Sequence, residues 1–438
     1  MDGHYSWTWV EARVAETCTV WDECPRQRIP ESRRYAGPEQ QQRERAWDEA
    51  ADAVERELRQ PRARSGLAAR RETQKRIMAA FARFSAVALD LSEEAIDLLT
   101  HDFLPAGTRL ARWARHFDPA LSMPDIIQAC RNAWTACGLQ PLLGQRVDLT
   151  PSILGYSMLY PYSDNFLDRE NLPADAKLRT SRRFRDRLRG ERMAAENDLE
   201  RALWAMVELI EGQYPRARFP DVFACLLAIH RAQELSLAQV RGAAPDPELL
   251  LVSCAKGGTS VLADACLARG WLTDQESRFA FDWGVLLQLG DDVQDVAEDL
   301  ERGSMTLFSQ PAAAGRRLDH RVIQLLSFAE HVGREMEQLP GGSPMLKNLL
   351  RMSWRSLILM DVAASHQHFS PQFLAEAEPF SPFRFAFLRE RRQRLTGRRG
   401  LYSMLFDALV DPQEEGERSL PESPRNLPLS PSLPLPPA

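Results

Sequence analysis

The chain has 438 residues, of which 44% are hydrophobic and 26% are charged, and its formal net charge is −6. This composition is that of a folded globular protein and excludes collagen-like, disulfide-stapled and wholly disordered classes. The excess of 61 acidic over 55 basic residues also argues against a protein coated with nucleic acid. No nucleic-acid partner is therefore expected.

The first 72 residues are highly charged and weakly patterned. We expect them to form an extension that is helical in part, from Trp47 to Leu58. The N-terminus lacks the basic start and apolar run of a signal peptide, and no stretch reaches the roughly 18 apolar residues of a membrane span. Seven cysteines without a CxxC pair are typical of reduced thiols. These features together predict a cytoplasmic protein.

Between residue 73 and about residue 400, apolar residues recur at helical spacing, with little of the alternation typical of strands. Thr150 is a predicted N-cap, because the proline that follows it suits the first position of a helix. Thr273 and Glu276 form a capping box at the start of a helix that we predict to run to about Leu300. The sequence predicts one large all-α domain over 73–400.

The C-terminal residues differ in composition from the rest of the chain. Eight of the 29 prolines lie between residues 411 and 438. A Pro-rich segment of low complexity cannot bury enough apolar surface to fold alone. We therefore expect residues 401–438 to be a disordered tail.

A first acidic cluster occurs in the string YPYSDNFLD. Asp164 and Asp168 are four residues apart, a spacing that places both carboxylates on one face of a helix. Pro161 lies inside this segment and is expected to kink the helix, which frees backbone carbonyls near the acids. Tyr156 and Tyr160 lie two turns and one turn before Asp164 on the same helix.

A second acidic cluster occurs in the string QLGDDVQDVAED. Asp291, Asp295 and Asp299 repeat every four residues along one helical face, which costs a helix roughly 0.2–0.5 kcal/mol per like-charged pair. Asp292 lies beside them, and Trp283 belongs to an apolar stripe that ends at these acids. A solvated acidic surface is one interpretation. The other is a site for a hard cation such as Mg²⁺, which commonly binds one or two carboxylates together with phosphate oxygens.

Taken together, the two clusters resemble the two aspartate-rich motifs of the class I isoprenoid synthase superfamily. The strings YPYSDNFLD, KGGTSVLAD and LQLGDDVQDVAED are similar to a bacterial branch called class 1 isoprenoid biosynthesis enzymes, over about residues 120–395. The resemblance implies an all-α bundle in which the two metal motifs face each other across a central apolar cavity. Asn165 departs from the pattern, because the family has a second aspartate at that place.

The same resemblance implies a role for each acid. Two sets of carboxylates would hold several Mg²⁺ ions around the diphosphate of a prenyl substrate, which ionises to an allylic carbocation. The implied metal ligands are Asp164, Asp168, Asp291, Asp292, Asp295 and Asp299. Of these, the expected catalytic residues are Asp164, Asp168, Asp291 and Asp295.

A diphosphate also needs cations, and its prenyl chain needs an apolar wall. Lys256 precedes Gly257 and Gly258, where we predict a helix break whose backbone N–H groups can approach an anion. Arg182 and Arg183, which follow the first cluster, are further candidates for diphosphate binding. The candidates for the substrate cavity are Tyr156, Tyr160, Trp283 and Gln288.

The reaction type stays open between cyclisation and prenyl transfer. Two other functions also fit an acidic helical protein: an all-α Mg²⁺-dependent nucleotide pyrophosphohydrolase and a non-catalytic helical lipid-binding protein. The first is disfavoured because such enzymes carry Glu-rich ExxE clusters. The Phe-rich and Arg-rich residues 379–399 fit a cap over the site, a contact with a membrane surface, or plain packing on the bundle. A homodimer and a peripheral membrane contact are open alternatives beside the prenyl diphosphate.

Overall fold

The computed structural model describes residues 3–60, 67–167, 173–239 and 244–396, together with Leu405 and Ala408. Across these residues the chain is helical and has no β-strand. The prediction of an all-α protein is confirmed at the level of fold class.

The helices follow one another with short connections. The first half contains α1 (Trp7–Glu23), α2 (Gly37–Arg59), α3 (Leu67–Ala88), α4 (Glu93–Leu98), α5 (Leu104–Phe117), α6 (Met123–Leu142), α7 (Pro151–Leu167), α8 (Ala174–Arg189) and α9 (Asp198–Gln213). The second half contains α10 (Pro220–Gln239), α11 (Asp246–Arg269), α12 (Asp274–Gln294), α13 (Val296–Arg302), α14 (Ser309–Ala313), α15 (Asp319–Gln338), α16 (Pro344–Ala364), α17 (Pro371–Ala377) and α18 (Phe385–Thr396). A π-helical turn over Leu99–Phe103 joins α4 to α5, and 3₁₀ turns lie at His366–His368 and Glu378–Phe380.

The predicted capping box at the start of α12 is confirmed, but the predicted end of this helix is wrong. The backbone N–H of Glu276 donates to Thr273 Oγ1 at 3.3 Å, and that of Thr273 donates to the Glu276 carboxylate at 2.8 Å. The helix ends at Gln294 with Asp295 in a turn, and α13 follows. Aspartate is a poor helix former, and like charges four residues apart weaken a helix further. These two effects explain why the run of acids interrupts the helix.

The predicted helix break at Gly257 and Gly258 is also wrong, since α11 is continuous from Asp246 to Arg269. The glycines serve helix packing instead. A Cβ on Gly257 would collide with the backbone carbonyl of Gly284 on α12, and a Cβ on Gly284 would collide with that of Gly257. A Cβ on Gly258 would meet the ring of Phe281. Glycine lets two backbones approach closely, so α11 and α12 touch here without intervening side chains.

The N-terminal helices belong to the bundle rather than to an appended extension. Val10 and Trp21 of α1 lie in the main hydrophobic core, and Trp21 meets the ring of Phe328 edge-on at 5.9 Å. The helix predicted from Trp47 to Leu58 is present as part of α2. Its few apolar residues share one face among many charges, so the sequence pattern understated how much of this segment is buried.

A buried ionic cluster joins α1 to α12 and α15. Arg13 Nη2 lies 2.6 Å from Asp282 Oδ2, and Thr17 Oγ1 donates to Asp282 Oδ1 at 2.6 Å. His331 Nε2 lies 3.7 Å from both the Asp282 carboxylate and the Glu335 carboxylate. Asp282 is fully buried. Its charge is therefore balanced by the protein's own cations.

Helix α11 is long and apolar enough to cross a membrane by length and composition alone. However, 78% of its most apolar window is buried inside the bundle, which is the pattern of a core helix. The seven cysteines are unpaired thiols, and all but Cys18 are buried.

The phenylalanines of residues 379–399 pack on the bundle. Trp47 of α2 meets the rings of Phe383 and Phe387 edge-on at 5.3 and 6.1 Å, and the ring of Phe84 of α3 at 5.3 Å. The buried rings of this segment are Phe380, Phe383, Phe385 and Phe387. These rings are consequently enclosed by protein and do not form a surface for a membrane.

The close contact between α11 and α12 predicts opposite effects for two glycines of the same helix. G284A introduces a methyl group against backbone, so we expect the free energy of unfolding to fall by about 1–3 kcal/mol. At Gly290 a Cβ meets nothing within 4 Å, so the control G290A is expected to raise this free energy by about 0.5–1 kcal/mol. Urea unfolding measures both values. Equal effects of the two variants would contradict the close contact.

The ionic cluster predicts a pH dependence of stability that centres on His331. The carboxylates of Asp282 and Glu335, each 3.7 Å from Nε2, raise the pKa of His331 from 6.5 to about 9. The protonated imidazole therefore contributes stability that is complete below pH 6.5 and is lost as the pH rises through about 9. We expect H331Q to flatten the fall of melting temperature across this range. An unchanged pH profile in H331Q would show that His331 is not the group responsible.

Candidate functional site

A cavity of about 1190 Å³ lies between the helices. Its walls are largely apolar and come from α2, α3, α5, α6, α7, α8, α10, α11, α12 and α16. The residues predicted for the cavity wall, Tyr156, Tyr160, Trp283 and Gln288, all line it. The four residues therefore share the wall of one cavity, and their contact with a substrate stays a prediction.

Three carboxylates from two parts of the fold line one region of this cavity, which we call the acidic end: Asp291, Asp295 and Asp361. Solvent reaches the side chain of Asp291, which is 48% exposed, although protein atoms lie close around it. Burial raises the pKa of Asp291. Burial, followed by the charge of Asp291, raises the pKa of Asp361 on α16 to about 8. The acidic end therefore holds more negative charge than its surroundings favour.

Asp361 was not predicted from the sequence. It is a lone acid in the apolar string LILMDVAA, and an isolated charge on an apolar helical face was the one available signal. The string alone does not show which other helix that face meets, so it could not link Asp361 to the second acidic cluster.

The other two acids of the second cluster do not line the cavity. Asp292 accepts hydrogen bonds from Ser253 Oγ and from Gln288 Nε2, both at 2.9 Å. Burial raises the pKa of Asp292 to about 7. Asp299 lies beyond the turn, on α13, and burial raises its pKa to about 6. Asp292 thus positions the cavity residue Gln288 through a hydrogen bond. The acids of the second cluster therefore lie in two environments, two of them at the cavity and two away from it.

Of the cations whose charge acts on the acidic end, two line the cavity, one predicted and one not. Lys256 of α11 lines the cavity, and its charge lowers the pKa of Asp291 and of Asp292. Arg131 of α6 also lines the cavity, and its Nη2 lies 3.3 Å from Asp291 Oδ1. Arg131 is separated from the acids by 160 residues of sequence, so spacing in the sequence gives no sign of this pair.

The arginines proposed for diphosphate binding lie elsewhere. Arg183 Nε donates to Glu200 Oε1 at 2.6 Å, and Arg183 Nη2 donates to the carbonyl of Ala194 at 2.8 Å. Arg182 is exposed on α8, and neither arginine lines the cavity. Arg183 is occupied by contacts between α8 and the start of α9.

The first acidic cluster is only partly described. Tyr160 and Ser163 of α7 line the cavity. Asp164 follows Tyr160 by one turn on the same helix, but its side chain lies outside the described residues, as does all of Asp168. The predicted meeting of the two acidic clusters therefore stays a prediction.

The oxygen-rich acidic end suits a hard cation. Carboxylate oxygens are the ligands that Mg²⁺ prefers, and the raised pKa of Asp361 reflects burial first and then the negative charge of Asp291, despite the opposing charges of Arg392 and Arg131. Asp282, His331 and Glu335 form a second group that could hold a metal ion, because their ligand atoms lie within 4.8 Å of one another. There Arg13 already contacts the central carboxylate. Of these two groups, the acidic end is thus the better candidate for a metal site.

Comparisons of the chain with protein-family models, with curated proteins and with solved structures find no match. The family therefore remains a resemblance carried by three short strings of sequence. Any function has to be argued from the geometry of the cavity and from those strings.

The electrostatics of the acidic end predict that an aspartate there destabilises the fold. Because the pKa of Asp361 is raised from 3.8 to about 8, its ionisation lowers stability progressively as the pH rises between these values. We expect D361N to raise the melting temperature at pH 8 and to have little effect near pH 4.

Thermal melts across this pH range test the expectation, with E301Q on the exposed side of α13 as a control that leaves the pH profile in place. If D361N melts at a lower temperature than the wild type at pH 8, the charge of Asp361 does not destabilise the fold, and the expectation is wrong.

Proposed function

We propose that this chain is a Mg²⁺-dependent isoprenoid synthase-like enzyme, which ionises a prenyl diphosphate and directs the resulting allylic carbocation to cyclisation or prenyl transfer. One observation carries the proposal: a large apolar cavity ends in three carboxylates beside Lys256 and Arg131. A prenyl diphosphate has the matching division into an apolar chain and a charged head. The three sequence strings that resemble the isoprenoid synthases support the same assignment.

The residues that would hold Mg²⁺ are those of the acidic end, with the cluster at Asp164 and Asp168 as the proposed second set. When bound, Mg²⁺ supplies positive charge that stabilises a departing diphosphate. Asp292 does not line the cavity, and we assign it the role of fixing Gln288 through their hydrogen bond. Asp299 is not needed as a ligand in this arrangement.

Lys256 and Arg131 are the proposed diphosphate contacts of the protein itself. Arg131 and Asp291 are both about half exposed, at 49% and 48%, so their ion pair can open to admit a phosphate oxygen at low cost. A guanidinium binds phosphate oxygens with the same paired geometry that it uses for carboxylates. Arg131 would therefore exchange Asp291 for the substrate as the site fills.

The cavity wall would protect and stabilise the carbocation. Trp283 is 3% exposed and packs against the ring of Trp354 at 5.5 Å. The hydroxyl of Tyr156 donates to the carbonyl of Ser260 at 3.2 Å, which holds its ring in place. A cation near the face of an aromatic ring gains about 2 kcal/mol or more when water is excluded. Enclosed walls also keep water from quenching a reactive intermediate.

A non-catalytic lipid-binding protein is the second candidate, because the apolar cavity alone supports it. A nucleotide pyrophosphohydrolase is less well supported, since largely apolar walls offer few partners for a nucleobase and ribose. The two candidates with apolar ligands differ in what the acidic end does: an enzyme needs it for turnover, whereas a lipid carrier does not.

Incubation with Mg²⁺ and prenyl diphosphates of several lengths, with and without isopentenyl diphosphate, tests the proposal directly. We expect diphosphate release and new products by mass spectrometry. D291N and D295N are expected to lower the rate by about 100-fold or more, the scale at which loss of one preorganised charge contact acts. The control E298Q changes an exposed acid of α13 that does not line the cavity, and it should retain the wild-type rate.

Growth of the chain would require isopentenyl diphosphate, whereas cyclisation would not, so the same assay separates the two reaction types. Binding of prenyl alcohols without diphosphate release, unchanged in D291N, would instead identify a lipid-binding protein.

A further inference from the structure

Asp264 is a buried acid in the wall of the cavity, away from the acidic end. It lies on α11, is 1% exposed and lines the cavity. Its Oδ1 accepts a hydrogen bond from Asn132 Nδ2 at 3.1 Å. Its Oδ2 is buried and has no hydrogen-bond partner among the described residues. Burial raises the pKa of Asp264, and a carboxyl group enclosed by protein with no cation at hydrogen-bond distance among the described residues is favoured in its neutral form.

The surrounding contacts determine which oxygen carries the proton. Asn132 Nδ2 donates both to Asp264 Oδ1 and to Ser157 Oγ, each at 3.1 Å. The carbonyl oxygen of a carboxylic acid is a better acceptor than its hydroxyl oxygen, so the bond from Asn132 favours the hydroxyl at Oδ2. The O–H of Asp264 is therefore a buried donor without an acceptor, a situation that native structures rarely leave unexplained.

A second unused donor occurs in the same wall. Trp283 Nε1 is buried, and it too has no hydrogen-bond partner among the described residues. The wall therefore offers hydrogen bonds that the protein's own groups do not accept.

The position of Asp264 relates it to the acidic end. Lys256 and Asp264 both line the cavity and are eight residues apart on one continuous helix. At 1.5 Å per residue they are separated by about 12 Å along the helix axis. A ligand whose charged head lies beside Lys256 would thus extend its chain toward Asp264.

We propose that Asp264 donates a hydrogen bond from Oδ2 to an oxygen of the bound ligand, and that the site thereby selects a prenyl diphosphate with a hydroxyl or carbonyl oxygen far from its head. This inference rests on the proposed function and adds the substrate class. Asp264 acts in it as a neutral donor that determines specificity, and no proton is transferred.

Two variants separate a neutral donor from a charged carboxylate. D264N replaces the hydroxyl by an amide N–H₂, so it keeps a donor at Oδ2 and an acceptor for Asn132. D264L has a side chain of similar size and keeps neither group. A neutral donor predicts that D264N keeps the preference of the wild type, whereas a charged carboxylate, which would accept a charge-assisted hydrogen bond from the hydroxylated probe, predicts that D264N weakens this preference.

The probes are farnesyl diphosphate and its derivative with a hydroxyl at the far chain end, titrated with Mg²⁺ and followed by tryptophan fluorescence. We expect the wild type and D264N to bind the hydroxylated probe about 2- to 10-fold more tightly, and D264L to bind both probes equally. Thermal melts show whether the variants are folded. If D264L is unfolded, the comparison of the wild type with D264N still tests the proposal.

The outcomes distinguish this inference from the proposed function. Tight binding of farnesyl diphosphate without a preference for the hydroxylated probe would overturn the role of Asp264 and leave the proposed function intact. Loss of the preference in D264N would also overturn it. If neither diphosphate binds, the proposed function fails, and this inference fails with it.

Discussion

The backbone contact between α11 and α12 is the constraint on which the rest of the site depends. Helices that pack through side chains lie about 8–10 Å apart, whereas Gly257 and Gly284 allow these two backbones to touch. Burial raises the pKa of Asp291 and of Asp292, and the contact places Lys256 of α11 close enough for its charge to oppose this rise. It also sets Ser253 beside Asp292. The polar groups of the site are thus positioned by two residues that have no side chain.

The chain contains two acidic groups whose negative charge is balanced in different ways. Around Asp282, Arg13 supplies a cation at 2.6 Å, so that carboxylate is balanced within the protein. At the acidic end, the nearest ion pair joins Arg131 and Asp291 at 3.3 Å, and the pKa of Asp361 is still raised to about 8. A protein gains nothing in stability from such an arrangement. A site that is completed by a cationic ligand explains it.

Local rules of sequence were sufficient for the fold class, the start of α12 and the residues of the cavity wall. Capping at Thr273 depends on residues three positions apart, and the cavity residues Tyr156 and Trp283 follow from helical spacing. These signals are contained in single helices. For the same reason they predict a helix face but not what that face meets.

The incorrect predictions concern contacts between distant segments. A Gly-Gly pair is compatible with a helix break and with close packing, and only the position of Gly284 on another helix decides between them. Arg131 and Asp361 join the site from helices that carry no recognisable motif. The burial of residues of the N-terminal helices was harder to predict, because a narrow apolar stripe is hidden by many polar neighbours.

The central claim is that divalent cations bind at the acidic end of the cavity together with a diphosphate. Crystals soaked with Mn²⁺ and inorganic diphosphate test it most directly, because Mn²⁺ scatters anomalously and can be located without bias. We predict anomalous peaks within ligand distance of Asp291 and Asp295, bridged to the diphosphate. Peaks only at Asp282 and Glu335, or none in the cavity, would contradict the claim.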